Sequence, residues 1–414
     1  MASQNRCIVK DAPNEVLMLI CEQASPDTLV ALCQTSRPFL DVAQHVLFYS
    51  IDLLEYSSRR LRSWCLAIRK HPHLAQRVHT LCIGLPDMDS LPPDNATRFL
   101  NAIQSCINLK ELEIRSILAE EMARNNGSWL LEGCTFALTH LTNTYFSPGH
   151  LMTILRNLPA LRFLSFPASK RGLGDSLPSA DAMIQLREEM TDEEYESEKM
   201  PDLPHLIAFD GHAVELQPEW RLERIQVTFE EAKLEPLFRY SSTLTTLNLV
   251  SQVYNGRGLF SASTAVNHVS RNLPNLLHFA VVDPKTDVGG YWAEVPVLAP
   301  ECSVQRFTRL ETFTLIVRDN VDAFATTPVA AGGGQLAPGE LYVSERPADM
   351  ELLAQHTIEA CPTLRRVVIG VTVMDFNIIT KEEATYTATR APMGEVEVVV
   401  GDEIDFEPLS MFWV

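Results

Sequence analysis

The chain has 414 residues, 46% of them hydrophobic, and a formal net charge of −19. That composition supports a large core and exceeds what one compact layer holds, unless the fold is elongated or repetitive. The acidity and the lack of a basic stripe argue against nucleic acid and anionic membrane surfaces as partners.

No amino-terminal leader is expected, because Met1 to Lys10 is polar and Glu15 and Glu22 interrupt the first apolar run. No run of about 18 apolar residues is present, so no membrane span is expected. The nine cysteines (Cys7, Cys21, Cys33, Cys65, Cys82, Cys106, Cys134, Cys302 and Cys361) are scattered, with no Cys-x-x-Cys pair. An odd, unpaired set reads as reduced core thiols and predicts a cytoplasmic or nuclear protein.

The first predicted elements are three short helices in close succession. Asp11-Ala12-Pro13-Asn14-Glu15-Val16-Leu17-Met18-Leu19-Ile20 opens the first. Asp11 can cap it, Pro13 suits a first turn, and Glu15 sits where the helix dipole favours an acid. Ser25-Pro26-Asp27 repeats the start signal ahead of Thr28 to Cys33, and Ser36-Arg37-Pro38 does so ahead of Phe39 to Leu47. Phe48 to Leu53 then alternates apolar and polar like a strand. Three helices of about two turns each make a poor solitary core. Val16, Leu17, Ile20, Leu29, Leu32 and Phe39 therefore need cover from the rest of the chain or from a partner.

On Pro13, Glu15, Val16, Leu17, Ile20, Leu29, Leu32, Ser36-Arg37, Phe39, Ala43 and Leu47, residues 9–53 resemble an F-box. The likeness is to the divergent form in the expanded F-box family of mushroom-forming fungi, in which Leu47 to Leu53 also finds a counterpart. Ala12-Pro13 stands where that family usually has Leu-Pro, and Gln23-Ala24-Ser25 replaces a common leucine. The resemblance implies docking on a Skp-family adaptor, and through it on a cullin, with Pro13, Val16, Leu17, Ile20, Leu29 and Leu32 in contact.

Next comes an amphipathic helix: Leu61, Trp64, Cys65 and Ile68 share one face. It leads into the alternating run Val78 to Ile83. The same helix–turn–strand order recurs, with an apolar residue, two variable ones, an apolar one, one variable and an apolar one. Copies start at Cys106-Ile107-Asn108-Leu109, Leu158-Pro159-Ala160-Leu161, Ser242-Thr243-Leu244, Leu273-Pro274-Asn275-Leu276, Phe307-Thr308-Arg309-Leu310 and Cys361-Pro362-Thr363-Leu364, with weaker ones at Leu138 and Leu222. The frame resembles a degenerate leucine-rich repeat, whose apolar faces are buried only by stacked neighbours. Leu151, Ile154, Leu155 and Leu158 form one preceding helical face, Val266, Val269 and Leu273 a second, and Leu352, Leu353, His356 and Ile358 a third.

The predicted fold class is α/β: the helical unit, then an irregular solenoid over 54–380 with a parallel sheet and helices on its outer side, then a hairpin and cap over 381–414. Insertions are expected near 168–202, which is dense in acid, and near 326–340, around Gly332-Gly333-Gly334. The last hairpin is read from Ala384 to Thr389 and Glu395 to Val400.

Two motifs resemble chemical sites. Gly174-Asp175-Ser176-Leu177, with Asp202 and His205 downstream, matches the tetrapeptide of a serine esterase family. The flexible residues between strand and Ser176 argue against the rigid seat a nucleophile needs. His71, His73 and His79 lack companions at a recognised metal-ligand spacing. The expectation is a non-catalytic chain with no cofactor and no metal. It would serve as the substrate-recognition subunit of a cullin–RING ubiquitin ligase, positioning an unknown client protein. The alternative is an interaction scaffold with no ubiquitin link, and a remote one is an esterase acting through Ser176.

Overall fold

A computed structural model of the chain describes residues 12–55, 57–86, 93–116, 130–146, 148–166, 201–213, 216–229, 234–251, 262–282, 304–318, 350–372, 384–392 and 394–401. The chain divides into two compact units, Met1–His205 and Leu206–Val414.

The first unit opens with α1 (Asn14–Glu22), α2 (Pro26–Cys33) and α3 (Arg37–Tyr49). The Pro13 carbonyl starts α1 by accepting the Val16 and Leu17 N–H groups at 3.0 and 3.2 Å; Asp11 lies outside the described residues. Ser25 caps α2 as its sequence predicts, its hydroxyl accepting the Thr28 N–H at 3.3 Å. Ser36 precedes α3 without a side-chain cap bond.

Helix α3 runs to Tyr49, so only Ser50–Leu53 of the predicted Phe48–Leu53 run forms a strand, β1. The chain turns extended at Ser50, and the Tyr49 carbonyl accepts the His79 N–H at 2.9 Å. The helical trio is thereby continuous with the first strand of the sheet.

Then follow α4 (Ser58–Lys70), α5 (Pro72–Ala75), β2 (Thr80–Leu85), α6 (Pro93–Ser105), β3 (Glu111–Ser116), β4 (His140–Asn143), α7 (Pro148–Leu155) and β5 (Phe163–Ser165). Strands β1 to β5 pair in chain order, every pair parallel. Their register lines up Ile51, Leu81, Leu112, Leu141 and Leu164 in one row. The last four are buried, and α4 buries the predicted Leu61, Trp64, Cys65 and Ile68. Trp64 meets Phe99 of α6 with ring centroids 6.2 Å apart. Asn143 occupies the next apolar row and stays satisfied: its Oδ1 accepts the Tyr145 and Phe146 N–H groups and its Nδ2 donates to the Phe146 carbonyl.

The second unit holds β6 (Ala208–His212), β7 (Arg224–Phe229), α8 (Glu235–Phe238), β8 (Thr246–Ser251), α9 (Ala262–Asn272), β9 (His278–Val282), β10 (Thr312–Arg318), α10 (Met350–Ala360), β11 (Arg366–Thr372), β12 (Ala384–Arg390) and β13 (Val396–Gly401). Strands β6 to β11 are parallel neighbours in chain order, and β12 and β13 continue antiparallel as the predicted hairpin. Phe209, Ile225, Leu247, Phe279, Phe313, Val367 and Ala388 form one buried row across this sheet.

Within each unit, every parallel step after β1–β2 carries the same backbone device. Two successive N–H groups at the start of a strand donate to one carbonyl of the preceding turn. Thr139 and His140 donate to the Lys110 oxygen, and Arg162 and Phe163 to that of Thr139. In the second unit Thr245 and Thr246 share the Glu223 oxygen, Leu277 and His278 that of Thr245, and Arg365 and Arg366 that of Glu311. Both units are thus mixed α/β, built from one repeating strand-entry turn, while the connecting segments differ in length.

Two features differ from the pattern. Strand β6 is an addition to the predicted copies, and Leu203-Pro204-His205-Leu206 ahead of Phe209 keeps the frame of Leu273-Pro274-Asn275-Leu276 ahead of Phe279. Helix α10 buries Ala354, Thr357 and Ile358 and leaves Leu352 and His356 exposed, because small side chains let it close on the strands. The acidic insertion up to residue 200, the glycine-rich one and the predicted cap over 402–414 lie outside the described residues. Among the described residues, no helix is long and apolar enough to cross a membrane.

Candidate docking surface

The trio folds around a small core of its own. Leu17, Cys21, Leu29, Val42 and Ala43 are buried, and Ala12, Met18, Ala24, Leu32, Cys33, Phe39, Val46 and Leu47 pack against them. Helix α1 carries the unbroken apolar run Val16-Leu17-Met18-Leu19-Ile20. A helix of that composition cannot turn every apolar residue inward, since residues on opposite sides of one turn face opposite ways. Leu17 takes the inside. Val16, Leu19 and Ile20 stay 44%, 63% and 47% exposed, and Val30 of α2 stays 51% exposed. Covering such half-bare side chains is worth roughly 1 kcal/mol each.

The six residues named from the sequence therefore separate. Pro13, Val16 and Ile20 are exposed, Leu32 is half-buried, and Leu17 and Leu29 sit in the trio's core. Leu17 and Leu29 hold the helices together and present nothing to a partner. Leu19 and Val30 were missed, although Leu19 falls one turn after Val16 and Val30 adjoins the inward Leu29. Glu15 and Glu22 of α1 and Asp27 of α2 are exposed too, and no lysine or arginine occurs from Asp11 to Ser36.

Helix α3 anchors the trio. The Arg77 guanidinium donates to the Asp41 carbonyl at 2.6 Å and pairs with the Asp41 carboxylate. His79 stacks on Tyr49 and bonds through Nδ1 to the Arg77 carbonyl at 2.9 Å. His79 thus belongs to the joint, and His71 meets His73 edge-on at 5.8 Å. Among the described residues, no three His, Cys, Asp or Glu side chains converge as metal ligands would.

The sheet face opposite the buried row in the first unit is polar. The Thr80 hydroxyl donates to Glu111 at 3.0 Å, and His140 stacks on Phe163 with ring centroids 4.1 Å apart. Burial lowers the His140 pKa below its usual value, while Glu111 pulls it the other way. Burial likewise pushes the Cys65, Cys106 and Cys134 thiols up to about 12, which suits packing groups and not nucleophiles.

Ser176 lies outside the described residues. Asp202 and His205 are both exposed in the turn before β6, where they fill the repeat frame. No protein-family model matches the chain, and no curated protein matches it significantly.

Proposed function

We propose that the chain is a non-catalytic client receptor of a cullin–RING ubiquitin ligase. Its helical trio acts as an F-box that docks on a Skp-family adaptor, and its leucine-rich-repeat-like units carry the client. The observation that carries this reading is the exposed apolar face of α1, made of Val16, Leu19 and Ile20, on a trio that buries Leu17, Cys21, Leu29, Val42 and Ala43 in a core of its own. Exposed apolar patches of this kind mark partner sites. The resemblance to the F-box at Pro13, Glu15, Val16 and Ile20 supplies the partner class.

The work is positional. A client held on the same assembly as a ubiquitin-charged enzyme meets the thioester at raised local concentration, so an encounter becomes nearly intramolecular. Stacked repeat strands suit that task, because their order is fixed by nearest neighbours and their connections tolerate insertion.

The test is capture of a purified Skp-family adaptor by the full chain. Replacing Val16 and Ile20 together by Asp is expected to weaken capture at least about ten-fold, with the thermal transition unchanged. Capture that survives both substitutions, in a protein of normal circular dichroism, overturns the adaptor reading and leaves a scaffold.

A further inference from the structure

Strand β13 is the last strand of its sheet and pairs only with β12 among the described residues. The hairpin's bonding phase shows which of its backbone groups face outward. At the turn, Gly394 (φ +90°) donates to the Ala391 carbonyl and Ala391 donates to the Glu395 carbonyl, both at 2.9 Å. This is a three-residue loop with a left-handed glycine. Bonded pairs alternate in an antiparallel ladder. With Thr389 opposite Glu397 and Thr387 opposite Val399, the residues bonding inward to β12 are Glu395, Glu397, Val399 and Gly401. The N–H and C=O groups of Val396, Val398 and Val400 therefore point away from the sheet.

That edge is unusually inviting. Val399 and Val400 are 54% and 55% exposed. Edge strands are normally blunted by charged side chains, proline or a bulge; between Glu395 and Gly401 there is no lysine, arginine or proline, and the charges present are the two glutamates, which repel acidic strands and admit basic ones. The charge is one-sided: residues 391–414 contain no lysine or arginine, whereas Glu395, Glu397, Asp402, Glu403, Asp405 and Glu407 are acidic.

We propose that β13 accepts an extended, lysine- or arginine-bearing segment of a partner protein as an added strand. The partner's backbone pairs with Val396, Val398 and Val400, and its basic side chains meet Glu395 and Glu397. A second copy of this chain fits less well. Centring two antiparallel β13 strands on Val398 sets Glu395 against Gly401 and brings no cation opposite either glutamate, between chains that each carry a net charge of −19. This inference goes beyond the adaptor reading and does not depend on it.

The experiment uses the full chain and a fluorescent peptide in which lysine and valine alternate. A control peptide carries the same lysines with prolines between them. The key variant is Val398→Pro. It removes one outward N–H while leaving the hairpin ladder and every charge in place, and proline is tolerated on an edge strand in that orientation. Expected are binding of the alternating peptide, at least about ten-fold weaker binding of the control, and a similar loss in Val398→Pro with an unchanged thermal transition. Glu397→Lys should weaken binding and flatten its salt dependence. Equal binding of the two peptides, or equal binding by Val398→Pro, overturns the proposal by reducing the effect to charge alone. Absence of peptide binding overturns it too, and concentration-dependent dimers lost in Val398→Pro would assign the edge to a second copy.

Discussion

The Tyr49 and His79 rings lie 4.6 Å apart at 14° from parallel, joining the last residue of α3 to the residue before β2. The same two residues share a backbone bond, from the His79 N–H to the Tyr49 carbonyl at 2.9 Å. The stack and the bond together brace the end of the trio against the start of the sheet.

Tyr49→Ala is expected to lower stability by about 1 kcal/mol, the usual worth of a stacked pair beyond its buried area. His79→Ala should cost a similar amount. Their double-mutant cycle in urea should show coupling of about 0.5–1.5 kcal/mol. Additive losses would mean that the contact does not couple the two elements.

The trio's inside and outside respond differently to substitution. Leu17→Ala empties a core position that is 1% exposed and is expected to cost about 2–5 kcal/mol. Leu19→Asp alters a residue that is 63% exposed and should change stability by no more than about 0.5 kcal/mol. Chemical denaturation of the two variants measures this directly. A large loss in Leu19→Asp would show that the patch is covered within the chain, which would remove the basis for a partner there.

Much of the strand architecture was legible because each strand repeats an inward apolar pair after a fixed turn. Leu112 and Ile114 or Phe279 and Val281 announce themselves by alternation. Strand β6 escaped because its second inward residue is Gly211 and its opposite face carries the buried Asp210, so no alternation of bulky residues marks it. In α10 Ile358 turns inward as its spacing predicts, whereas Leu352 and His356 stay outside and Ala354 and Thr357 take the inner positions that close packing admits. The trio's existence was plain from Ser25 and Ser36 and from the proline after each. Which of its leucines face outward was not. Five successive apolar residues in α1 define no single stripe, and only the packing of α2 and α3 chooses Leu17 for the inside. The named contact residues therefore mixed core with surface.

His140 makes the stability of the first unit pH-dependent with a definite sign. It stacks on Phe163, its Nδ1 lies 2.9 Å from the Thr139 hydroxyl, and Glu111 and Arg162 are the charged groups that act on it. Burial holds its pKa below the usual 6.5 of the unfolded chain, Arg162 adds to the lowering, and Glu111 opposes it. As pH falls through that usual value, the unfolded chain takes up the proton first, so protonation favours unfolding. His140→Gln removes both the stack, worth about 0.5–1.5 kcal/mol, and the titration. At about pH 7.5 the native chain should therefore be the more stable of the two. Its advantage should shrink steadily toward about pH 5, since only the native side chain is penalised by protonation, while titration of the remaining carboxylates is common to both. Urea melts of the two proteins across that range supply the comparison. An advantage that grows on acidification would mean that Glu111 outweighs burial and that the folded imidazole prefers its proton.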